Sequence, residues 1–227
     1  MSPTAYRKAP LLRASEDGDV ETMRLLLDHG ASVDVADDDG KAPLLRASED
    51  GEVDIVRLLL DHGASVDVAD DDGKTALLHA SEDGEVDIVR LLLDHGASVD
   101  VADDDGKTAL LHASHCSDVE TMRLLLDHGA SVDVADDDGK TALLHASEDG
   151  EVDIVRLLLD HGASVDVADD NGMTALLCAA YKGNVDIVRL LLDLGANVDA
   201  TSAAETSALQ HCSCRECRAL LRGAVRL

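Results

Sequence analysis

The chain contains no phenylalanine and no tryptophan, and only two tyrosines among its 227 residues. Its interior must therefore be filled by Leu, Val, Ile and Ala. Basic residues are scarce as well: 19 Lys and Arg stand against 47 Asp and Glu, for a formal net charge of -28. Such a surface repels nucleic acid and anionic membranes, and it favours either a basic partner or plain solubility. No apolar run is long enough to span a membrane. Arg7 and Lys8 have no apolar stretch behind them, so residues 1–10 do not read as a secretory leader. Cysteines number five, an odd count, with three in the last 16 residues. That is a poor disulfide framework and suits a reducing compartment. The expected location is cytoplasmic, with the nucleus as an option. No Gly-rich phosphate loop and no nucleophile–base–orienter set stands out, so neither an enzyme nor a cofactor is expected.

What the chain does have is repetition. Residues 71–103 recur letter for letter as 137–169, and a 33-residue period can be followed from about Ala5 almost to the end. A period of this size marks a stacked array, in which no unit buries its apolar face without its neighbours. The units are 5–37, 38–70, 71–103, 104–136, 137–169 and 170–202, with a partial unit at 203–227, together forming a single array over 1–227. Apolar residues make up 45% of the chain and follow a strict pattern, which argues against disorder.

One unit can be read residue by residue. Asp71-Asp72-Gly73 is a turn. Thr75 is placed to cap a short helix from Ala76 to about Glu82, whose inner face holds Leu77, Ala80 and Ser81. Asp83-Gly84 ends it. A second helix runs from about Glu85 to His95, with its acids at the positive end and His95 at the negative end. Val86, Ile88, Val89, Leu92 and Leu93 form its apolar face. Gly96 follows as a terminating glycine, and residues 97–103 are an extended connection.

Gly73-x-Thr75-Ala76-Leu77-x-x-Ala80, then Gly84, Ile88-Val89-x-x-Leu92-Leu93 and Gly96-Ala97, resemble the ankyrin repeat family. The family's Thr-Pro-Leu-His appears here as Thr75-Ala76-Leu77-Leu78. Its proline survives as Pro10 and Pro43 at first-helix starts. Tyr6, Arg7 and Lys8 stand where other units have the Asp-Asp-Gly turn. The resemblance implies an all-α solenoid of helix-turn-helix units joined by β-turns and loops. It also implies a binding module whose partners lie against the face made by turn tips and first helices. The matching positions include Asp71, Asp72, Lys74, Glu82, Asp83 and His95, with Lys107 and His128 among their equivalents.

Three other patterns stand in the sequence. The Asp-rich turns at 37–39, 70–72, 103–105 and 136–138 do not fit a calcium loop, because Val68 falls on the first ligand position when Gly73 takes the glycine slot. They read as a solvated acidic ridge. His79, His112 and His145 lie on first helices, while His29, His62, His95, His128 and His161 end second helices; one imidazole per repeat does not make ligands converge. His211, Cys212, Cys214 and Cys217 offer four soft ligands, but on one expected helix within seven residues. They read first as free thiols in a capping unit and second as a zinc site.

The copies differ at few places. Repeat 4 has His115 and Cys116 where its neighbours have Glu and Asp. Repeat 6 has Asn171, Met173, Cys178, Tyr181 and Lys182 where the pattern has Asp, Lys, His, Glu and Asp. Tyr and Met are favoured interface anchors. The leading expectation is a monomeric, non-catalytic protein-binding module with a basic partner. Its contacts would come from Lys74, Glu82, Asp83, His95, Lys107, His115, Cys116, His128, Met173, Tyr181 and Lys182. Two alternatives stand beside it: a structural or engineered scaffold with no partner, and a metal-responsive protein using the C-terminal His/Cys cluster.

Overall fold

A computed structural model describes residues 10–37, 40–204, 206–212 and 214–224. Tyr6, Arg7, Lys8, Asp38 and Asp39 lie outside the described residues. Two compact units result, one ending at Asp104 and the other starting at Asp105. The first holds α1 (Pro10–Glu16), α2 (Val20–Asp28), α3 (Pro43–Glu49), α4 (Val53–Asp61), α5 (Ala76–Glu82) and α6 (Val86–Asp94). The second holds α7 (Ala109–His115), α8 (Val119–Asp127), α9 (Ala142–Asp149), α10 (Val152–Asp160), α11 (Ala175–Lys182), α12 (Val185–Asp193), α13 (Ala208–His211) and α14 (Arg215–Ala224). None of the described helices is long and apolar enough to cross a membrane.

The order within each unit is short helix, tight turn, longer helix, loop. First helices pack on first helices and second helices on second helices, with each pair closed against itself. The helical period explains this. In α6, Ile88, Val89, Leu91, Leu92 and Leu93 are buried, while Asp87 and Arg90 face out. In α5 nearly every side chain is buried, from Ala76 to Ser81, because it packs against its own partner and a neighbouring first helix. Each fully buried Leu contributes about 1.5–3 kcal/mol.

The connections differ from expectation in one respect. Thr75, Thr108 and Thr141 occupy N-cap positions with extended backbone, but their hydroxyls make no capping bond. The backbone of Thr75 and Thr141 instead pairs across the turn with Ala69 and Ala135. Pro43 starts α3, where a missing N–H costs nothing.

Turn tips are tied one repeat to the next by the backbone. Asp104 N donates to Asp72 O at 3.1 Å, and Asp137 N to Asp105 O at 3.1 Å. The tip glycines make this approach possible. Gly139 has φ of +74°, and a Cβ there would lie 2.9 Å from Asp170 N. A second seam joins the loops after the second helices. Asp67 accepts from the backbone N–H and hydroxyl of Ser98 at 2.9 and 2.6 Å; Asp133 does the same for Ser164.

Candidate functional site

The turn tips and first helices carry a clamp. Asp70 Oδ1 accepts from the backbone N–H groups of Asp72 and Lys74 at 3.1 and 2.9 Å, which shapes the turn. Its Oδ2 meets His79 Nε2 at 2.8 Å, and both side chains are buried. Asp136 and His145 repeat the arrangement at 2.9 Å. In repeat 2 the same place is taken by Arg46, which bonds Asp37. Burial is the largest single influence on Asp70 and raises its carboxyl, yet the His79 bond and the two backbone N–H groups together leave it below the usual carboxylate range. Asp136 is lowered in the same way.

The clamp corrects one expectation. The first aspartate of each tip is not part of a solvated ridge: Asp70, Asp103 and Asp169 are all buried. It is a turn-building residue with its oxygens aimed inward. His79 and His145 are the partners of those aspartates. A signal for the clamp was present in the sequence, since a basic or imidazole side chain recurs nine residues after the first aspartate.

A lysine–glutamate pair runs beside the clamp. Lys41 meets Glu49 at 2.7 Å, Lys74 bonds Glu82, and Lys140 meets Glu148 at 2.9 Å. Two of the expected contact residues, Lys74 and Glu82, are thus bound to each other. Asp83 is exposed and ends α5; partial burial and then the neighbouring Glu82 raise its carboxyl.

The remaining expected residues fall in three places. His95 and His128 end second helices, with Nδ1 2.8 Å from the carbonyls of Leu91 and Leu124. They belong to the second-helix layer and not to the tips. His115 ends α7, and its ring lies edge-on to His145 with centroids 4.5 Å apart. Burial, then the charges of His145 and Lys107, lower the His115 imidazole. Half-buried Lys107 thus stands near it, and exposed Cys116 follows it at the helix end. Ser117 then takes φ of +55° where other repeats have glycine.

Met173, Tyr181 and Lys182 come together. A cleft of about 260 Å³ is lined by Lys140, Glu148, Asp169, Asn171, Met173, Cys178 and Tyr181. Lys182 reaches Glu148 at its edge, 3.3 Å away. The cleft exists because repeat 6 changes both local devices at once. Met173 and Tyr181 replace the lysine–glutamate pair, and Cys178 replaces the clamp imidazole. Asp169 Oδ1 still accepts from Asn171 and Met173 N–H at 2.9 and 2.8 Å, so the turn keeps its shape. No imidazole or guanidinium meets its Oδ2 among the described residues. Burial, and then the charges of Glu148 and Asp169, push the Cys178 thiol up to about 12. Tyr181 is 57% exposed, one of few large apolar side chains left open.

A family profile described as "Ankyrin repeats (3 copies)" matches residues 2–70, 65–136 and 131–202. The chain belongs to the ankyrin repeat family. Ankyrin repeat domains generally mediate protein–protein interaction and are not enzymes. Among solved structures, the chain is similar to the ankyrin repeat domain of Bcl-3, described as a unique member of the IkappaB protein family. That likeness has a TM-score of 0.88 and 31% identity, over 96% of this chain and 99% of the other. It is also similar to the human ASB11 ankyrin repeat domain, with a TM-score of 0.80, 28% identity, and coverage of 96% and 98%. A search of curated proteins gives no match. As an ankyrin solenoid, the chain presents its cleft on the first-helix and turn-tip layer, where first-helix side chains meet the tips.

Proposed function

We propose that this chain is a non-catalytic module that binds a basic protein segment, and that the repeat 6 cleft holds its anchoring side chain. The observation that carries this reading is Asp169, a buried carboxylate without a clamp partner, opening onto an apolar wall of Met173, Cys178 and Tyr181. An arginine or lysine fits that chemistry at both ends. Its charged head meets Asp169 and Glu148, and its aliphatic stem lies on Met173 and Tyr181. The net charge of -28 steers such a segment toward the chain. Lys182 marks the rim and spaces the partner's next cation away from Glu148.

The test is an array of basic peptides scored against the purified chain by fluorescence polarisation at two salt concentrations. Peptides with a cation beside aliphatic residues are expected to bind, and more weakly as salt rises. Tyr181→Ala is expected to weaken binding about tenfold or more. Cys178→His restores the clamp, fills the cleft and should abolish binding while the fold is kept. His95→Ala, on the second-helix layer, should leave affinity unchanged. Equal affinity for the parent and the Cys178→His variant would sink the reading.

A further inference from the structure

The sequence places His211, Cys212, Cys214 and Cys217 on one helix, but α13 stops at His211 and α14 starts at Arg215. The break matters because a continuous helix turns about 100° per residue. It would send Cys212 and Cys214 about 200° apart, to opposite faces. With the break, the sulfur atoms of Cys212, Cys214 and Cys217 all lie within 4.8 Å of one another. Cys217 and Cys212 are buried and Cys214 is half-buried.

His211 does not join them. It occupies the clamp position of its repeat, one period after Cys178 and two after His145. Its Nε2 bonds Thr206 Oγ1 and lies 3.3 Å from Ser202 Oγ, across the turn, as His79 does with Asp70. The imidazole is therefore committed to the tip. The set consists of three sulfurs.

We propose that Cys212, Cys214 and Cys217 form a three-thiolate site for a soft d10 cation, of the class of cuprous copper or zinc. At a metal–sulfur distance of about 2.3 Å, three thiolates around one ion stand just under about 4 Å apart. The sulfurs need contract by only about 1 Å from their present limit. The protein already supplies the surroundings that thiolate ligation needs. Cys217 N–H donates to Cys214 Sγ at 3.1 Å and aims that sulfur. Arg218 Nη2 donates to Cys212 O at 2.8 Å and holds the connection in place. Arg215, Arg218 and Arg222 outnumber Glu216 on α14 and make this helix basic in a chain that is otherwise strongly acidic. Soft thiolates select cuprous copper and zinc over the hard cations that the acidic turns would attract. Three ligands complete a trigonal cuprous site, whereas zinc would take a water as its fourth ligand. A bound ion would tie α13 to α14 and stiffen the end of the stack.

The experiment uses the full chain, reduced with a phosphine and freed of metal. It is titrated separately with zinc and with cuprous ion under a competing chelator; cobalt serves as a spectroscopic probe of sulfur ligation. The expected result is uptake of one equivalent per chain by at least one of the two ions, with a raised melting temperature. The ion that binds more tightly identifies the site. Cys214→Ser should abolish uptake. Serine is a good N-cap, so α14 is retained and circular dichroism should be unchanged. Cys116→Ser, remote from the cluster, should bind as the parent does. Failure of the reduced chain to take up either ion, or unchanged uptake by Cys214→Ser, overturns the proposal.

Discussion

Residues 71–103 and 137–169 place the same 33 side chains in two different settings. Inside each block the frame is reproduced. Lys74 N and Lys140 N both donate to the preceding clamp aspartate at 2.9 Å, and the two imidazole–carboxylate bonds are 2.8 and 2.9 Å. The differences arise at the edge. α5 has seven residues and closes on Asp83, whereas α9 has eight and closes on left-handed Gly150. Asn184, from repeat 6, donates to Ser147 O at 2.9 Å, near the end of α9. Glu148 takes a second lysine from repeat 6, Lys182. A repeated sequence thus specifies its own local frame, while the adjoining repeat decides what its surface offers. The cleft belongs to that edge.

The largest effects should come from the glycines, and twin positions test whether the frame is truly local. Gly73 and Gly139 need positive φ and also lie against the next tip, with a Cβ reaching backbone N at 3.0 and 2.9 Å. Gly96 and Gly162 need positive φ but would meet nothing within 4 Å. Alanine at Gly73 or Gly139 should cost about 2–4 kcal/mol, from the left-handed conformation plus overpacking. At Gly96 or Gly162 the cost should be about 1–2 kcal/mol. Urea midpoints would show this, and twins that differ by more than the two classes do would break the comparison. The reverse change, Ser117→Gly, should gain about 1 kcal/mol by relieving φ of +55°.

Acid should act next, through the clamps. Asp70 and Asp136 are lowered from the ordinary 3.8, so the folded state binds fewer protons than the unfolded state there. Their contribution is fully present above about pH 4 and is lost as pH falls through the lowered folded values. Through these carboxylates the melting temperature should decline as pH falls below about 4. Asp136→Asn should cost about 1.5–3 kcal/mol at pH 7 and shallow that decline. Asp169→Asn should cost less, because Cys178 offers its carboxylate no clamp. Equal costs at the two aspartates, read from denaturation at pH 7, would show that the imidazole contributes nothing.

The fold was legible because its signals are local and repeated. The Ala76–Glu82 helix, the terminating Gly96 and the proline that opens α3 follow from local propensity and the repeated apolar pattern, although the Thr75 hydroxyl does not make the cap its position suggests. The clamp was not legible in the same way. Asp70 and Asp71 are adjacent and chemically alike, and the only mark on the buried one is the imidazole nine residues later, whose meaning depends on the fold that brings the two together. The seam of Asp67 with Ser98 spans 31 residues, beyond the reach of any local pattern. In repeat 6, the substitutions at Met173, Cys178 and Tyr181 could be seen in the sequence. That they remove an ion pair and a clamp at one spot could not, because both devices join residues eight or nine positions apart that only the fold brings into contact. The three C-terminal thiols are visible in the sequence, but their convergence is not, because it depends on the break between α13 and α14.

The smallest effects concern a column of serines. Ser81 and Ser147 are fully buried, and no hydrogen bond reaches their hydroxyls; Ser15, Ser48 and Ser114 share the position and the deficit. Repeat 6 has Ala180 there, also fully buried. A hydroxyl that loses its water without gaining a partner costs about 1–3 kcal/mol in proteins, and alanine is also the better helix former by a few tenths. The loss of one oxygen atom's packing offsets part of this. Ser147→Ala and Ser81→Ala should each stabilise by about 1 kcal/mol, equal within about 0.5 kcal/mol if the twins are truly equivalent. Ala180→Ser supplies the opposite arm and should destabilise by a similar amount. If thermal denaturation shows that change to be neutral, the hydroxyls find partners in solution. The contrast between repeat 6 and the others would then rest on the cleft alone.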